Sequence, residues 1–421
     1  MKTNQSFAGK PLLFDAVMAH KNKLITFLTN GSAKLKLPGH AVVIPPDQQY
    51  DLTQATIFGL NERLTMSSNS PITGKNGKTL REEFNEEWER YSKALATADK
   101  NSIIYGVYAY YPEKMHLVRF CKKYWHHVVA VASSSKLYAN PADTLTWKEI
   151  RELFAATTVA VAGCSVGNSI IQSTAMDLRP HSIKIADKSL YKMENINRVR
   201  LGYWEMVESN QKRKNAGDIL LKNKALVTAA QLYAIDPFMN VYVYPDGISE
   251  VNIKKFLGGG GREPAADIVV EEVDDPRIKI LIRQHAKRLR LPLIMVTDVG
   301  SCIQLDIVRF DKLRNSAMTY GSSDARLIAS MEAVYNNPGN RKVFFKFVDQ
   351  LIGRDYRQEE LKKIIEQKTE IPTSTIIPQL GSTIAVAGGV VAEAIARIRL
   401  GFSYPPRVLF NKRTFQTKIY S

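Results

Sequence analysis

Residues 158–170 read TVAVAGCSVGNSI, and this stretch decides the fold prediction. A run of small and β-branched residues favours a strand, which leads directly into a turn that contains Gly163, Ser165 and Gly167. A helix is predicted to follow, so backbone N–H groups and the positive helix end can meet a phosphate. Relative to the pattern G-x-G-x-x-G, Ser165 stands at the second glycine and Asn168 at the third. The stretch indicates nucleotide binding, and an ordinary tight turn stays an alternative.

Apolar strand-like runs alternate with helical segments around this turn. Strands are predicted at 158–163, 182–187, 241–245, 267–273 and 292–298, and helices at 168–178, 223–235 and 276–289. Such alternation is typical of a parallel sheet that carries helices on its faces. We therefore predict an α/β fold with a Rossmann-like, mostly parallel sheet flanked by helices.

The composition divides the chain into four parts. They are an N-terminal α+β accessory domain (1–110), a connecting β-rich segment (111–150), the Rossmann-like nucleotide-binding domain (151–312) and a mainly helical C-terminal region (313–421). Helical spacing with an acidic start predicts a helix over 79–100. A second helix, rich in small residues, is predicted near 384–399.

The charge balance is strongly basic. The 421 residues include 58 Lys and Arg against 41 Asp and Glu, which gives a formal net charge of +17. This charge favours acidic partners such as nucleotides. The basic residues are spread along the chain, so a solvated basic surface is favoured over a specific nucleic-acid site, and tRNA stays a possible but unsupported partner. We see no signal peptide and no apolar run of about 20 residues, and expect a cytoplasmic protein without membrane contact.

Polar residues after the glycine turn suit a bound nucleotide. Asp187 ends the second predicted strand, where a carboxylate can accept hydrogen bonds from ribose hydroxyls, although a turn or cap role is the alternative. Asn195 and Arg198 lie in ENINR (194–198), and Lys224 opens a later helix. Such groups near phosphates are what phosphoryl or nucleotidyl transfer requires, because negative charge spreads over the phosphate oxygens in the transition state. A solvated polar loop is the alternative.

A carboxylate follows another strand in VVEEVDD (269–275). Asp274 lies just past the carboxyl end of this strand, which is where open α/β sheets place ligands. A carboxylate there can hold Mg²⁺ that bridges phosphates. A simple acidic loop is the alternative.

Four of these features occur in an order that resembles the ThiF/MoeB adenylyltransferases, the HesA/MoeB/ThiF relatives of ubiquitin-activating enzymes. They are the turn GCSVG, then Asp187 followed by NINR ending at Arg198, then Asn223-Lys224 before a helix that ends in IDP, and then VDD ending at Asp275. The resemblance covers residues from about 158 to 311. It implies that residues 151–312 form an ATP-binding adenylation domain and that the C-terminal helical part belongs to the same fold.

The resemblance also implies roles and partners. Gly163, Ser165 and Gly167 would hold ATP, Asp187 its ribose, and Asn195 would lie beside the phosphates. Arg198, Lys224 and Asp274 would be catalytic, with Asp274 as the Mg²⁺ ligand. The carboxylate of a small protein, peptide or small molecule would be activated as an acyl adenylate with release of pyrophosphate. A homodimer is expected, in which the small-residue helix near 384–399 could pack closely.

The chain departs from the family in its cysteines and in one arginine. Cys121, Cys164 and Cys302 form no C-x-x-C pair, which excludes a four-cysteine zinc site from this chain alone. Cys164 and Cys302 are interpreted as packing residues. An arginine expected before the first strand has no clear match, and Lys136 is a weak substitute.

Two other function classes remain open at this stage. A NAD(P)-dependent oxidoreductase would explain the glycine turn and Asp187 but not Arg198, Lys224 and Asp274. A non-catalytic nucleotide-binding interaction module would explain the incomplete set of arginines.

Overall fold

The computed structural model describes residues 10–14, 42–43, 72–73, 79–83, 107–111, 116–120, 145–207, 221–353 and 379–420. Two sheets are present in these ranges. The strands of the N-terminal sheet are β1 (Leu12–Phe14), β2 (Val42–Val43), β3 (Ile72–Thr73), β4 (Thr79–Glu83), β5 (Val107–Tyr111) and β6 (His116–Phe120), in the order β2-β1-β5-β6-β4-β3.

This first sheet corrects part of the sequence analysis. The helix predicted over 79–100 is wrong at its start, because Thr79–Glu83 pairs as a strand with both β3 and β6. Strand pairing has overridden a weak local helical preference there. Strand β5 also spans the predicted boundary at residue 110, and its pairing with β6 continues the accessory sheet into the connecting segment. Residues 84–100, Cys121 and Lys136 lie outside the described residues.

The second sheet has eight strands. They are β7 (Thr158–Ala162), β8 (Ser182–Ala186), β9 (Asn240–Tyr244), β10 (Ile268–Glu271), β11 (Pro292–Val299), β12 (Cys302–Arg309), β13 (Arg407–Asn411) and β14 (Gln416–Tyr420), in the order β14-β13-β12-β11-β10-β7-β8-β9. Five strands run parallel to one another, namely β9, β8, β7, β10 and β11. The pairs β11–β12, β12–β13 and β13–β14 are antiparallel. The predicted α/β fold with a mostly parallel, Rossmann-like sheet is confirmed.

Helices cover both faces of this sheet. They are α1 (Trp147–Ala155), α2 (Val166–Asp177), α3 (Tyr203–Met206), α4 (Lys224–Ile235), α5 (Ile253–Gly258), α6 (Pro276–Leu289), α7 (Asp324–Asn336), α8 (Arg341–Ile352) and α9 (Gly381–Leu400). One apolar core joins the sheet to α1, α2, α4 and α9, and a second joins its other face to α5, α6, α7 and α8. No helix within the described ranges is both long and apolar enough to cross a bilayer.

The C-terminal region joins this second sheet, and its described residues are mainly helical, as predicted, with two strands at their end. Helix α9 confirms the helix predicted near 384–399, but β13 and β14 follow it and extend the sheet from β12. The small residues of α9 contact α2 of the same chain, where a Cβ on Gly388 would lie 2.6 Å from Ser169 Oγ. Gly388 is therefore buried within the chain, and a dimer contact through the exposed side of this helix stays a prediction.

Candidate functional site

The glycine turn lies where the sheet changes direction. The chain runs from β7 to β8 and β9 on one side and returns through β10 beside β7. The carboxyl ends of these strands are level, since Ala162 pairs with both Ala186 and Glu271. Open α/β sheets bind ligands in the crevice at such a switch point.

Gly163 begins this turn and cannot be replaced without distortion. Its φ is +97°, and a Cβ on it would lie 2.4 Å from the carbonyl oxygen of Glu272. Its N–H donates to the carbonyl of Ala186 at 2.7 Å. A glycine is needed because the turn after β7 passes directly over the end of β10.

Ser165 and Gly167 form the entry to α2. A Cβ on Gly167 would lie 3.2 Å from Val161 Cγ1, so the helix begins close against β7. Ser165 is the N-cap residue, but its hydroxyl makes no capping bond to the helix. Instead Ser165 Oγ accepts a hydrogen bond from Arg198 Nε at 3.2 Å. This bond links the start of α2 to the guanidinium of Arg198, which lies 33 residues further along the chain.

Asp187 holds the turn from the end of the neighbouring strand. Asp187 Oδ2 accepts from the backbone N–H of Cys164 at 2.8 Å, and Oδ1 accepts from that of Ser189 at 2.7 Å. The carboxylate is half-buried and borders the crevice. The contacts show the turn-stabilising role that was one alternative, and the contact to ribose stays a prediction.

Lys224 is placed by the cap of α4. Asn223 Oδ1 accepts from the N–H of Leu226, and its Nδ2 donates to the carbonyls of Asp187 and Pro245, each at 3.0 Å. These bonds fix the first turn of α4 to the ends of β8 and β9. The backbone N–H of Lys224 donates to the carbonyl of Ser189 at 3.0 Å, just after Asp187. Burial raises the pKa of the Cys164 thiol well above its usual value, and the charge of Lys224 lowers it. The buried Cys164 thiol therefore stays protonated, in keeping with a packing role.

Asn195 and Arg198 belong to one turn. A 3-10 helix covers Met193–Asn197, and Asn195 is only 1% exposed. Asn195 Oδ1 accepts from the N–H of Lys192 at 2.8 Å, and its carbonyl accepts from the N–H of Arg198 at 3.0 Å. The observed role of Asn195 is to shape the turn that presents Arg198, and its contact with phosphates stays a prediction.

The two aspartates after β10 have different surroundings. Asp275 caps α6, since its Oδ1 accepts from the N–H groups of Arg277 and Ile278. Asp274 precedes this cap and is exposed at the carboxyl end of the sheet. Of the pair, Asp274 is the one whose side chain can receive a ligand.

Asp298, at the end of β11, was not identified from the sequence. Its side chain is 6% exposed, and Oδ1 accepts from Gln379 Nε2 at 3.2 Å. Oδ2 is buried and has no hydrogen-bond partner among the described residues. Burial raises the pKa of Asp298 to about 6; Gln379 and Arg198 lower this pKa, and Asp274 raises it. The signal was available in PLIMVTD, where one acidic residue ends an otherwise apolar strand at the binding edge.

Glu272 completes the acidic side of the site. Its Oε1 accepts from the N–H of Val296 at 2.8 Å, which joins the ends of β10 and β11. Burial raises the pKa of Glu272 well above its ordinary range, and the nearby Lys279 lowers it. We interpret Glu272 as a structural residue, because its carboxylate joins the ends of two neighbouring strands.

The structure thus brings the predicted residues to one edge of the sheet. Ser165 and Arg198 are hydrogen-bonded, Asp187 holds the glycine turn, and the N–H of Lys224 donates to a carbonyl just after Asp187. Asp274 follows β10 and Asp298 lies at the end of β11, two neighbouring parallel strands, so both carboxylates lie at this edge. The charge of Arg198 lowers the pKa of Asp298, and that of Asp274 raises it.

Comparisons with known proteins give limited likenesses. No family model matches the chain. An uncharacterized protein, MT1398, of Mycobacterium tuberculosis (strain CDC 1551 / Oshkosh) is 28% identical over 258 residues, which cover 61% of this chain and 32% of that protein. The chain therefore spans about a third of the length of this curated relative.

Among solved structures, selenomethionine PaaA has a TM-score of 0.48 at 14% identity, over 80% of this chain and 94% of PaaA. E. coli MccB with ATP has a TM-score of 0.41 at 13% identity, over 65% of this chain and 66% of MccB. E. coli MccB with selenomethionine MccA has a TM-score of 0.42 at 16% identity, over 66% and 67%. These TM-scores are below 0.5 and assign no function to this chain.

Proposed function

We propose that this chain is an ATP-dependent adenylyltransferase of the ThiF/MoeB type, which activates a carboxylate as an acyl adenylate. The observation that carries the proposal is the hydrogen bond from Arg198 Nε to Ser165 Oγ in the glycine turn. It sets a guanidinium at the point where a nucleotide's phosphates would meet the start of α2. Hydride transfer from a dinucleotide has no need of such a group, whereas nucleotidyl transfer does.

The proposed reaction needs charge stabilisation more than covalent participation by the protein. A carboxylate oxygen attacks the α-phosphorus of ATP, the bond from that phosphorus to the bridging oxygen breaks, and pyrophosphate leaves. Arg198 and Lys224 would offset the negative charge that grows on the phosphate oxygens. Gly163, Ser165 and Gly167 would form the cradle for the phosphates, and Asp187 would accept from the ribose.

Asp274 fits the proposed role of Mg²⁺ ligand. Its carboxylate is exposed at the carboxyl end of β10, next to β11, where the buried Asp298 Oδ2 lacks a partner among the described residues. Carboxylate and phosphate oxygens are the ligands that Mg²⁺ prefers. When bound, the ion would neutralise charge on the leaving pyrophosphate.

The proposed substrate is a carboxylate on a small protein, a peptide or a small molecule. A homodimer remains part of the proposal, although its contact must lie outside the buried small-residue face of α9. Light scattering at micromolar concentrations tests it, and a monomer would remove this part.

Trapping of the activated carboxylate tests the function. Purified protein, ATP, Mg²⁺ and hydroxylamine are incubated with pools of peptides that end in a free carboxylate, and the same peptides with amidated C-termini serve as the control. We expect a hydroxamate, together with AMP and pyrophosphate in equal amounts, from the free carboxylates alone. Tight binding of NAD(P) with no binding of ATP would instead favour the oxidoreductase class.

A further inference from the structure

Asp298 has a buried carboxylate, and one of its two oxygens accepts no hydrogen bond from the described residues. Gln379, a neutral donor just before α9, occupies Oδ1, and Oδ2 has no partner among the described residues. A buried carboxylate oxygen without a partner is costly, since neither water nor a donor replaces its lost hydration. An arrangement of this kind is stable in a working site when a cation that binds there supplies the missing contact.

Three cations of this part of the sheet have other contacts. Arg283 and Lys279 both pair with Glu271, at 2.9 and 2.7 Å. Arg198 donates from Nε to Ser165, and its charge reaches Asp298 without providing a partner for Oδ2. The negative charge of Asp274 also acts on Asp298 and raises its pKa. At Asp298 itself, burial and the charge of Asp274 disfavour the ionised form, and Arg198 favours it.

We propose that Asp298 Oδ2 is a protein ligand of the divalent cation that accompanies the nucleotide, and shares this ion with Asp274. The inference rests on the proposed ATP site and adds to it a residue that the family resemblance did not supply. Asp274 would approach the ion from the end of β10, and Asp298 from the end of β11. Phosphate oxygens and water would complete the coordination shell.

A divalent ion suits this pair better than an ammonium group. One ammonium balances one carboxylate, whereas a divalent ion balances both and also attracts phosphates. Mg²⁺ is usually held by one or two carboxylates together with substrate phosphates, at about 2.0–2.1 Å from each oxygen. Within the described part of the chain, no group of three or more His, Cys, Asp or Glu side chains is placed to hold an ion. A site with two protein carboxylates leaves coordination positions that phosphate oxygens and water can fill.

The test measures how strongly the ion and the nucleotide assist each other. The probe is AMPCPP, in which a methylene group replaces the oxygen between the α and β phosphorus atoms, so that the bond broken in adenylation stays intact. Calorimetry gives the Kd of AMPCPP in Mg²⁺ and in EDTA for each protein. The Kd in EDTA divided by the Kd in Mg²⁺ reports the coupling between ion and nucleotide.

We expect Asp298→Asn to lower this ratio of Kd values about tenfold or more, and we expect the same of Asp274→Asn. The metal-free affinity should stay equal or rise, because a negative charge near the phosphates has been removed. Asp177→Asn is the matched control, since Asp177 is exposed at the end of α2 on the opposite edge of the sheet. Its ratio should equal that of the wild type.

Asp298→Cys gives a second readout that a purely structural role would not change. A thiolate prefers soft ions, so Cd²⁺ should support AMPCPP binding to this variant better than Mg²⁺ does.

An unchanged ratio in Asp298→Asn would overturn the assignment. Wild-type protein that binds AMPCPP equally in Mg²⁺ and EDTA would overturn it while leaving the ATP site in place. Wild-type protein that binds no AMPCPP in either buffer would remove the proposed function as well.

Discussion

Arg198 is the residue that joins the two halves of the site. Its Nε contacts the glycine turn through Ser165, and its charge reaches Asp298 at the end of β11. A guanidinium that is already held at the glycine turn by Ser165 needs little reorganisation when phosphate charge develops. Its contribution should therefore be larger in the transition state than in the complex with ATP.

Arg198→Ala should lower the rate of acyl-adenylate formation by about 10²–10³, as for loss of one preorganised donor, with a smaller loss of ATP affinity. Single-turnover release of pyrophosphate measures the rate, and calorimetry measures the affinity. Arg200→Ala is the control, because Arg200 is exposed two residues further along. Equal rates for wild type and Arg198→Ala would show that the site is wrongly assigned.

Among single residues, candidate site residues could be predicted from the sequence where they follow a strand or open a helix. Gly163, Asp187, Lys224 and Asp274 were found in this way, since the carboxyl ends of parallel strands meet at one edge. Asp298 was not found, because its importance comes from burial and from an oxygen without a partner. The letters PLIMVTD show an acidic residue near the end of an apolar strand, but they show neither its burial nor the missing partner of its oxygen among the described residues.

At the scale of elements, the contact between α2 and α9 positions the start of α2. A Cβ on Gly388 would lie 2.6 Å from Ser169 Oγ and 2.7 Å from the carbonyl of Ser169. The two backbones approach so closely that no side chain fits between them. Since Ser169 lies one turn after Ser165, movement at this contact would shift the glycine turn.

Gly388→Ala should destabilise the protein by about 1–3 kcal/mol, which is typical of overpacking. The adjacent Gly389 provides a matched control, because a Cβ on it meets nothing within 4 Å. Gly389→Ala should be neutral or stabilise by about 0.5–1 kcal/mol, since alanine is the better helix former. Urea denaturation compares the two, and equal effects would contradict the packing described for α9.

Elements of the Rossmann-like part were predictable because each has a strong period and a clear boundary. Strands β7 to β11 and helices α2, α4 and α6 lie within two residues of their predicted bounds. β13 and β14 were missed because they are short edge strands whose partners are distant in sequence. The start of the 79–100 segment was mistaken for a helix because pairing with β3 and β6 decides its structure.

For the whole molecule, the eight-stranded sheet makes the Rossmann-like part and the C-terminal region one structure. Arg407 on β13 is buried, and its Nη2 donates to Asp306 Oδ2 on β12 at 2.8 Å. Its Nη1 donates to the carbonyl of Ile352, the last residue of α8, at 2.8 Å. One side chain therefore connects two strands and a helix from distant parts of the chain.

Arg407→Ala should cost about 3–5 kcal/mol of unfolding free energy, because it leaves the buried Asp306 without its counter-ion. Arg413→Ala, in the exposed turn after β13, should change the unfolding free energy by less than about 0.5 kcal/mol. Both values come from urea denaturation followed by circular dichroism. A small effect of Arg407→Ala would show that the C-terminal strands contribute little to the stability of the whole sheet.

The measurement that tests the central proposal most directly is exchange of labelled pyrophosphate into ATP. Exchange requires that an acyl adenylate form and return, so it reports adenylation without knowledge of the final acceptor. We predict exchange that depends on both Mg²⁺ and a free carboxylate, and that is strongly reduced in Arg198→Ala and Asp274→Asn. Binding of ATP without exchange, for every carboxylate in the pools, would contradict the proposed activity and leave a nucleotide-binding module without catalysis.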